Sequence, residues 1–115
     1  MTVASDSEFS VLYTTLPHRE AGLDLARQVV NEQLAGCVNI IDGVTSVYRW
    51  EGTVQTDAEV VLLLKTRTSL VPALMQRVIE LHPYDTPGVS VWPVADIAPG
   101  YADWLRQVTS ESPRV

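Results

Sequence analysis

The chain alternates apolar and polar positions, shifts to a helical period, and then alternates again. Residues 9–16 are rich in Val, Leu, Tyr and Thr and stop at Pro17, which predicts a first strand. Over residues 19–35, Leu23, Ala26, Val30 and Leu34 recur at helical spacing with charges between them. That pattern predicts an amphipathic helix closed by Gly36. Residues 37–41 return to a β pattern, break at Asp42-Gly43 and resume over 44–50. Glu51-Gly52-Thr53 has turn chemistry, and residues 54–66 predict a long third strand. Ser69 is placed to cap a helix over 70–81, with Pro72 in its first turn. Its apolar face is Val71, Leu74, Met75, Val78 and Leu81, and His82-Pro83 ends it. Residues 88–97 predict a fourth strand, in which Pro93 marks an edge or a bulge. Pro99-Gly100 opens a last short helix that docks through Tyr101, Trp104, Leu105 and Val108.

The order is β-α-β-β-α-β-α. Right-handed crossovers fold it into an α+β, ferredoxin-like β-α-β-β-α-β sandwich with helices on one face and an added C-terminal helix. The 115 residues suit one domain, spanning 9–108 between flexible ends at 1–8 and 109–115.

Two features exceed what a lone domain of this kind needs. The third strand, about 13 residues at roughly 3.3 Å each, reaches about 43 Å. The helix after it covers only about 18 Å, so the hairpin at Gly52 overruns its own helical layer. Val60 to Leu64 is also apolar on both parities, as in strands covered on both faces. Either self-association buries the second face, with Tyr48, Trp50 and Trp92 as interface aromatics, or the terminal helix folds back over it.

Composition narrows the function. Apolar residues make up 46% of the chain, enough for a core, and the longest apolar run is too short to span a membrane. A net charge of -6 argues against nucleic acid or an anionic membrane as the partner. The polar, acidic start predicts no secretory leader, and the single Cys37 suits a reducing cytoplasm.

Candidate chemistry is sparse. Cys37 offers a soft metal ligand, or a small residue packed where helix meets strand. His82 offers a metal ligand or proton carrier, or a partner for the last carbonyls of its helix. His18 has no evident partner. Lys65, the one lysine, ends the apolar strand. It either snorkels to the sheet end or joins Tyr84, Asp85 and His82 in a polar cleft between subunits. Glu59, on the same parity, lies roughly 20 Å away along the strand. Arg19 and Asn39 would suit an acylphosphatase-like site, but no glycine-rich anion cradle follows the first strand. No other hydrolase motif occurs either, so a non-enzyme is expected.

Ala35-Gly36-Cys37-Val38-Asn39, Val44-Thr45-Ser46-Val47-Tyr48-Arg49-Trp50-Glu51-Gly52, Glu59, Leu64-Lys65-Thr66, His82-Pro83-Tyr84-Asp85-Thr86-Pro87 and Tyr101-Ala102-Asp103-Trp104-Leu105 carry a further signal. In this order they resemble the CutA family, the divalent-cation tolerance proteins, over residues 9–108. The resemblance implies a homotrimer built through extended strands, a cytoplasmic location and a role in tolerance of copper and other divalent metal ions. A likeness of that trimer to the PII signalling proteins implies, as an alternative, a sensor with a small ligand in clefts between subunits. Two positions depart from the family pattern. Gly88 stands where a glutamate is usual. The copper-ligand positions carry Tyr13, Leu81 and His82, of which His82 alone keeps its type, so the implied metal binding is weak or indirect.

Overall fold

A computed structural model of the protein describes residues 7–110. Four strands, β1 (Phe9–Leu16), β2 (Cys37–Trp50), β3 (Thr53–Arg67) and β4 (Val89–Pro93), form one sheet in the order β2-β3-β1-β4. Every neighbouring pair is antiparallel. Helices α1 (Arg19–Asn31) and α2 (Val71–Leu81) follow β1 and β3, and α3 (Pro99–Val108) closes the chain. This is the expected α+β sandwich.

The core forms where alternate residues of β1 and β3 meet α1 and α2. Leu12, Leu16, Val60, Leu62 and Leu64 pack against Leu25, Val29, Leu74 and Val78. In α1 the buried set is Gly22, Leu25, Ala26 and Val29, not the expected stripe through Leu23 and Val30. Both stripes have helical spacing, and Gly22 decides between them. A Cβ there would sit 3.0 Å from Leu62 Cδ1 and 3.3 Å from Val60 Cγ2, so its absence lets the helix lie close on β3.

α1 also ends four residues before Ala35. Gln33 takes the left-handed conformation (φ 65°) that closes the helix. Leu34 and Ala35 then drop into the core, 2% and 0% exposed. Gly36 serves a different purpose from the one expected. A Cβ on it would lie 2.6 Å from Leu105 Cδ2 and 2.9 Å from Val108 Cγ2, so it is the seat on which α3 docks. Ser69 is not a cap either: a 3-10 turn, Thr68–Leu70, leads into α2, which starts at Val71 without a side-chain cap. His18, by contrast, caps α1 by accepting from the Ala21 N–H at 3.2 Å.

The break at Asp42-Gly43 is a bulge within one continuous β2, with Gly43 at φ 76° and a register shift between Ile41 and Val44. Ile41 pairs with Val61 and Val44 with Glu59, so beyond the bulge the even-numbered residues of β2 share a face with Glu59 and Val61. The bulge therefore turns Ser46, Tyr48 and Trp50 to that side. Glu51 (φ 50°) and Gly52 (φ 80°) then make a two-residue hairpin turn of the kind that matches strand twist.

The second sheet face is partly covered. Phe9 packs with Ala102 and Leu105 of α3, and with Val94 and Ile97 beyond β4. β4 is accordingly shorter than expected: it stops at Pro93 on the sheet edge, and the chain turns to cover Phe9. α3 docks through Ala102 and Leu105, while Tyr101 and Trp104 stack on each other at 5.6 Å and stay over a third exposed. Farther along the same face, Trp92 (49% exposed) stacks on Tyr13 at 5.3 Å and Ile41 is 47% exposed. The terminal helix thus folds back, but over one end only.

Residues of both chain ends make contacts inside the described residues. Glu8 forms a two-point ion pair with Arg106, both contacts at 2.7 Å. Thr109 is 3% exposed and accepts from Arg67 Nε at 2.9 Å, and the Ser110 N–H donates to the Gln33 carbonyl. The rest of the ends expected to be flexible, 1–6 and 111–115, lie outside the described residues.

Gly36→Ala is expected to lose about 1–3 kcal/mol of stability by overpacking against α3. Gly88→Ala, where a Cβ meets nothing within 4 Å, should be neutral or mildly stabilising. Urea unfolding of both variants measures the difference.

Candidate functional site

The loop after α2 is anchored by one buried side chain. Pro83 keeps His82 extended (φ -73°, ψ 136°) and ends the helix. The His82 ring, 7% exposed, lies under β1. Nδ1 accepts from the Tyr84 N–H at 3.2 Å, so Nε2 carries the proton. Nε2 donates to the Thr15 carbonyl at 2.8 Å and lies 3.3 Å from Thr14 Oγ1. Burial lowers the His82 pKa below its ordinary 6.5, against the opposing pull of the Thr15 carbonyl and Glu59. The ring is therefore neutral, with both nitrogens engaged. A metal on His82 would have to displace either the Tyr84 amide or the Thr15 carbonyl.

Tyr84 carries this anchor to β3. Its ring lies 4.9 Å from that of His82, and its hydroxyl donates to Glu59 Oε2 at 2.7 Å. Burial first, then Glu59, pushes the phenol far above its usual range, so it stays a donor. Along the hairpin, the Tyr48 hydroxyl donates to Asp57 and is likewise raised by that bond. Between loop and hairpin opens a cleft of about 560 Å³, lined by Tyr48, Trp50, Glu59, Tyr84 and Asp85, with hydroxyls from Thr15, Ser46 and Thr86. Gly88 lies at its edge. The charged lining residues are carboxylates, and no Lys, Arg or His is among the lining side chains.

Tyr84 and Asp85 line this cleft within one protomer, and so do Tyr48 and Trp50, expected at a subunit interface. Lys65 is elsewhere in the protomer. It sits directly across the ladder from Cys37, with Nζ 5.8 Å from the centre of the Tyr101 ring. Burial first, and then the nearby Cys37, raises the Tyr101 pKa. Cys37 and His82 therefore belong to different neighbourhoods. Among the described residues no group of three or more His, Cys, Asp or Glu could hold a metal ion. Glu59 escaped the sequence reading as a cleft residue. The available signal was a carboxylate abutting five apolar positions, a placement that only a partner or a cleft makes tolerable.

The family described as CutA1 divalent ion tolerance protein matches residues 10–108. The rice protein named Protein CutA 1, chloroplastic, is 49% identical over 102 residues, which are 89% of this chain but only 58% of the rice protein. The divalent-cation tolerance protein CutA of Thermus thermophilus is 46% identical over 99 residues, covering 86% of this chain and 96% of that one. The crystal structure of CutA1 from Oryza sativa superposes with a TM-score of 0.88 at 47% identity, covering 92% of this chain and 97% of that one.

The His82 anchor has a pH signature. Its folded-state pKa lies below the 6.5 of the unfolded chain, so its contribution is complete above about pH 6.5 and falls away as pH drops toward the folded value. His82→Gln cannot titrate. The stability difference between wild type and variant, from urea unfolding between about pH 5 and 8, should stay level above 6.5 and shrink below it.

Proposed function

The chain belongs to the CutA1 divalent ion tolerance family, and on that premise we propose that it serves tolerance of divalent metal ions, copper among them. It does so as a homotrimer joined through its long strands, without catalysis and within the cytoplasm. The observation that carries the assembly is the uncovered apolar surface. Beyond α3 the sheet shows Trp92 and Ile41 at 49% and 47% exposure. The hairpin shows Val47 at 67% and Val54 at 59% on its other face. Apolar area on both faces of a two-stranded arm suits an arm seated between neighbours.

Metal binding in this reading is weak or indirect. Two facts support it: His82 has no free ring nitrogen, and Cys37 lies in a separate neighbourhood, across the ladder from Lys65. The acidic lining of the cleft does not favour an anionic ligand.

Light scattering of the wild type should give the mass of three chains, and Trp92→Glu should shift it toward one chain. A wild type of single-chain mass overturns the trimer. Copper(II) calorimetry should show at most weak binding that His82→Ala leaves unchanged. A submicromolar site lost in that variant overturns the weak-binding reading. A strain lacking the gene should grow less well in excess copper than one carrying it, and equal growth overturns the tolerance role.

A further inference from the structure

We propose that the cleft between the hairpin and the loop after α2 binds a small organic cation, an ammonium group carried on a compact apolar body. The argument rests on what the walls still have to offer a ligand. Trp50, Tyr48 and Tyr84 supply aromatic rings, the surface on which organic cations are held. The hydroxyls of Tyr84 and Tyr48 are already spent on Glu59 and Asp57, so these two side chains turn rings rather than donors to an occupant. Glu59 lines the cleft at 9% exposure. Tyr84 occupies its Oε2, and among the described residues no donor reaches its Oε1. Oε1 is therefore the part of this carboxylate that stays accessible in the cleft, and a carboxylate oxygen so placed is a strong acceptor for a charged donor. Asp85 adds a second negative charge at the wall, and among the described residues of the protomer no cationic side chain lines the cleft to neutralise the two.

The chemistry separates this ligand from its competitors. An anion would meet two carboxylates and no counter-charge. A bare divalent ion needs several oxygen or nitrogen ligands at short range, and among the described residues no such cluster exists. A diffuse, weakly hydrated cation needs fewer: π faces around its apolar groups and one carboxylate beside its charge. A volume of about 560 Å³ lies in the range of small-molecule sites.

The test uses the assembled full-length protein, with choline as the probe and tryptophan fluorescence and calorimetry as readouts. Choline should bind saturably. Its uncharged carbon isostere, with tert-butyl in place of trimethylammonium, should bind at least about tenfold more weakly, because it keeps the shape and loses the charge. Glu59→Gln should weaken choline about tenfold. Trp50→Leu should weaken it several-fold. Gly88→Glu, which adds a carboxylate at the cleft edge where a Cβ meets no neighbour, should tighten it. Light scattering on each variant separates loss of ligand from loss of assembly. If Glu59→Gln disassembles, the Trp50→Leu and Gly88→Glu pair decides the matter. Equal binding of the uncharged isostere, preference for acetate over choline, or zinc(II) binding at Glu59 without choline binding would each overturn the proposal. So would choline affinity indifferent to both Trp50→Leu and Gly88→Glu.

Discussion

β3 is apolar toward both sides of the sheet from Val60 to Leu64, and a strand of that kind needs two covers. α1 and α2 supply one, burying Val60, Leu62 and Leu64 completely or nearly so. The other side is shared between α3, which reaches Phe9, and the stacked pair of Tyr13 and Trp92. Burying apolar area contributes roughly 25 cal/mol per Å²; on this side Val61 is buried, while Ile41 and Trp92 stay 47% and 49% exposed. The rest of the architecture follows from how that second side is closed: the tight seat of α3 on Gly36, the early stop of β4 at Pro93, and the aromatic surface left for neighbours.

The same strand sets the position of the cleft. Glu59 is the residue at which β3 leaves the helical layer and becomes half of a two-stranded arm. A carboxylate there would be costly inside the layer, but at its margin it can accept from Tyr84 and still face a cleft. Two local devices bring the other walls to it. The bulge at Gly43 rotates the outer half of β2 by one residue, which sends Tyr48 and Trp50 to the Glu59 side. His82, wedged beneath β1, fixes the loop that carries Tyr84 and Asp85.

This arrangement separates two ideas of the metal role. A tolerance protein can act by holding the ion in a high-affinity centre, and that requires several convergent donors with free lone pairs. In this chain His82 is committed to loop architecture and His18 to a helix cap, Cys37 lies across from Lys65, and Glu59 and Asp85 line an aromatic cleft. Among the described residues these donors do not converge on a metal centre, and a weak or indirect metal role agrees with that chemistry.

The sequence by itself determined the element order, and hence the sheet topology, because strand and helix periods and the Pro and Gly breaks are local properties. It also determined the overlong arm and the two-sided strand, since both follow from residue counts and parity, and its motifs named the family. Tertiary structure decided what depends on distant contacts. Of two equally spaced stripes on α1, Gly22 selected one by its fit to Leu62. Gly36, read as a helix cap, proved to be a contact point for Leu105, a residue far along the chain. A sequence break at Asp42-Gly43 became a bulge only because β3 continued opposite it, and that bulge moved Tyr48 and Trp50 into the cleft. Lys65 and Glu59 share one strand and one parity, yet α3 claimed the first and Tyr84 the second. Spacing along a chain fixes which face a side chain takes, but its neighbour on that face is chosen by packing between elements that the sequence holds apart.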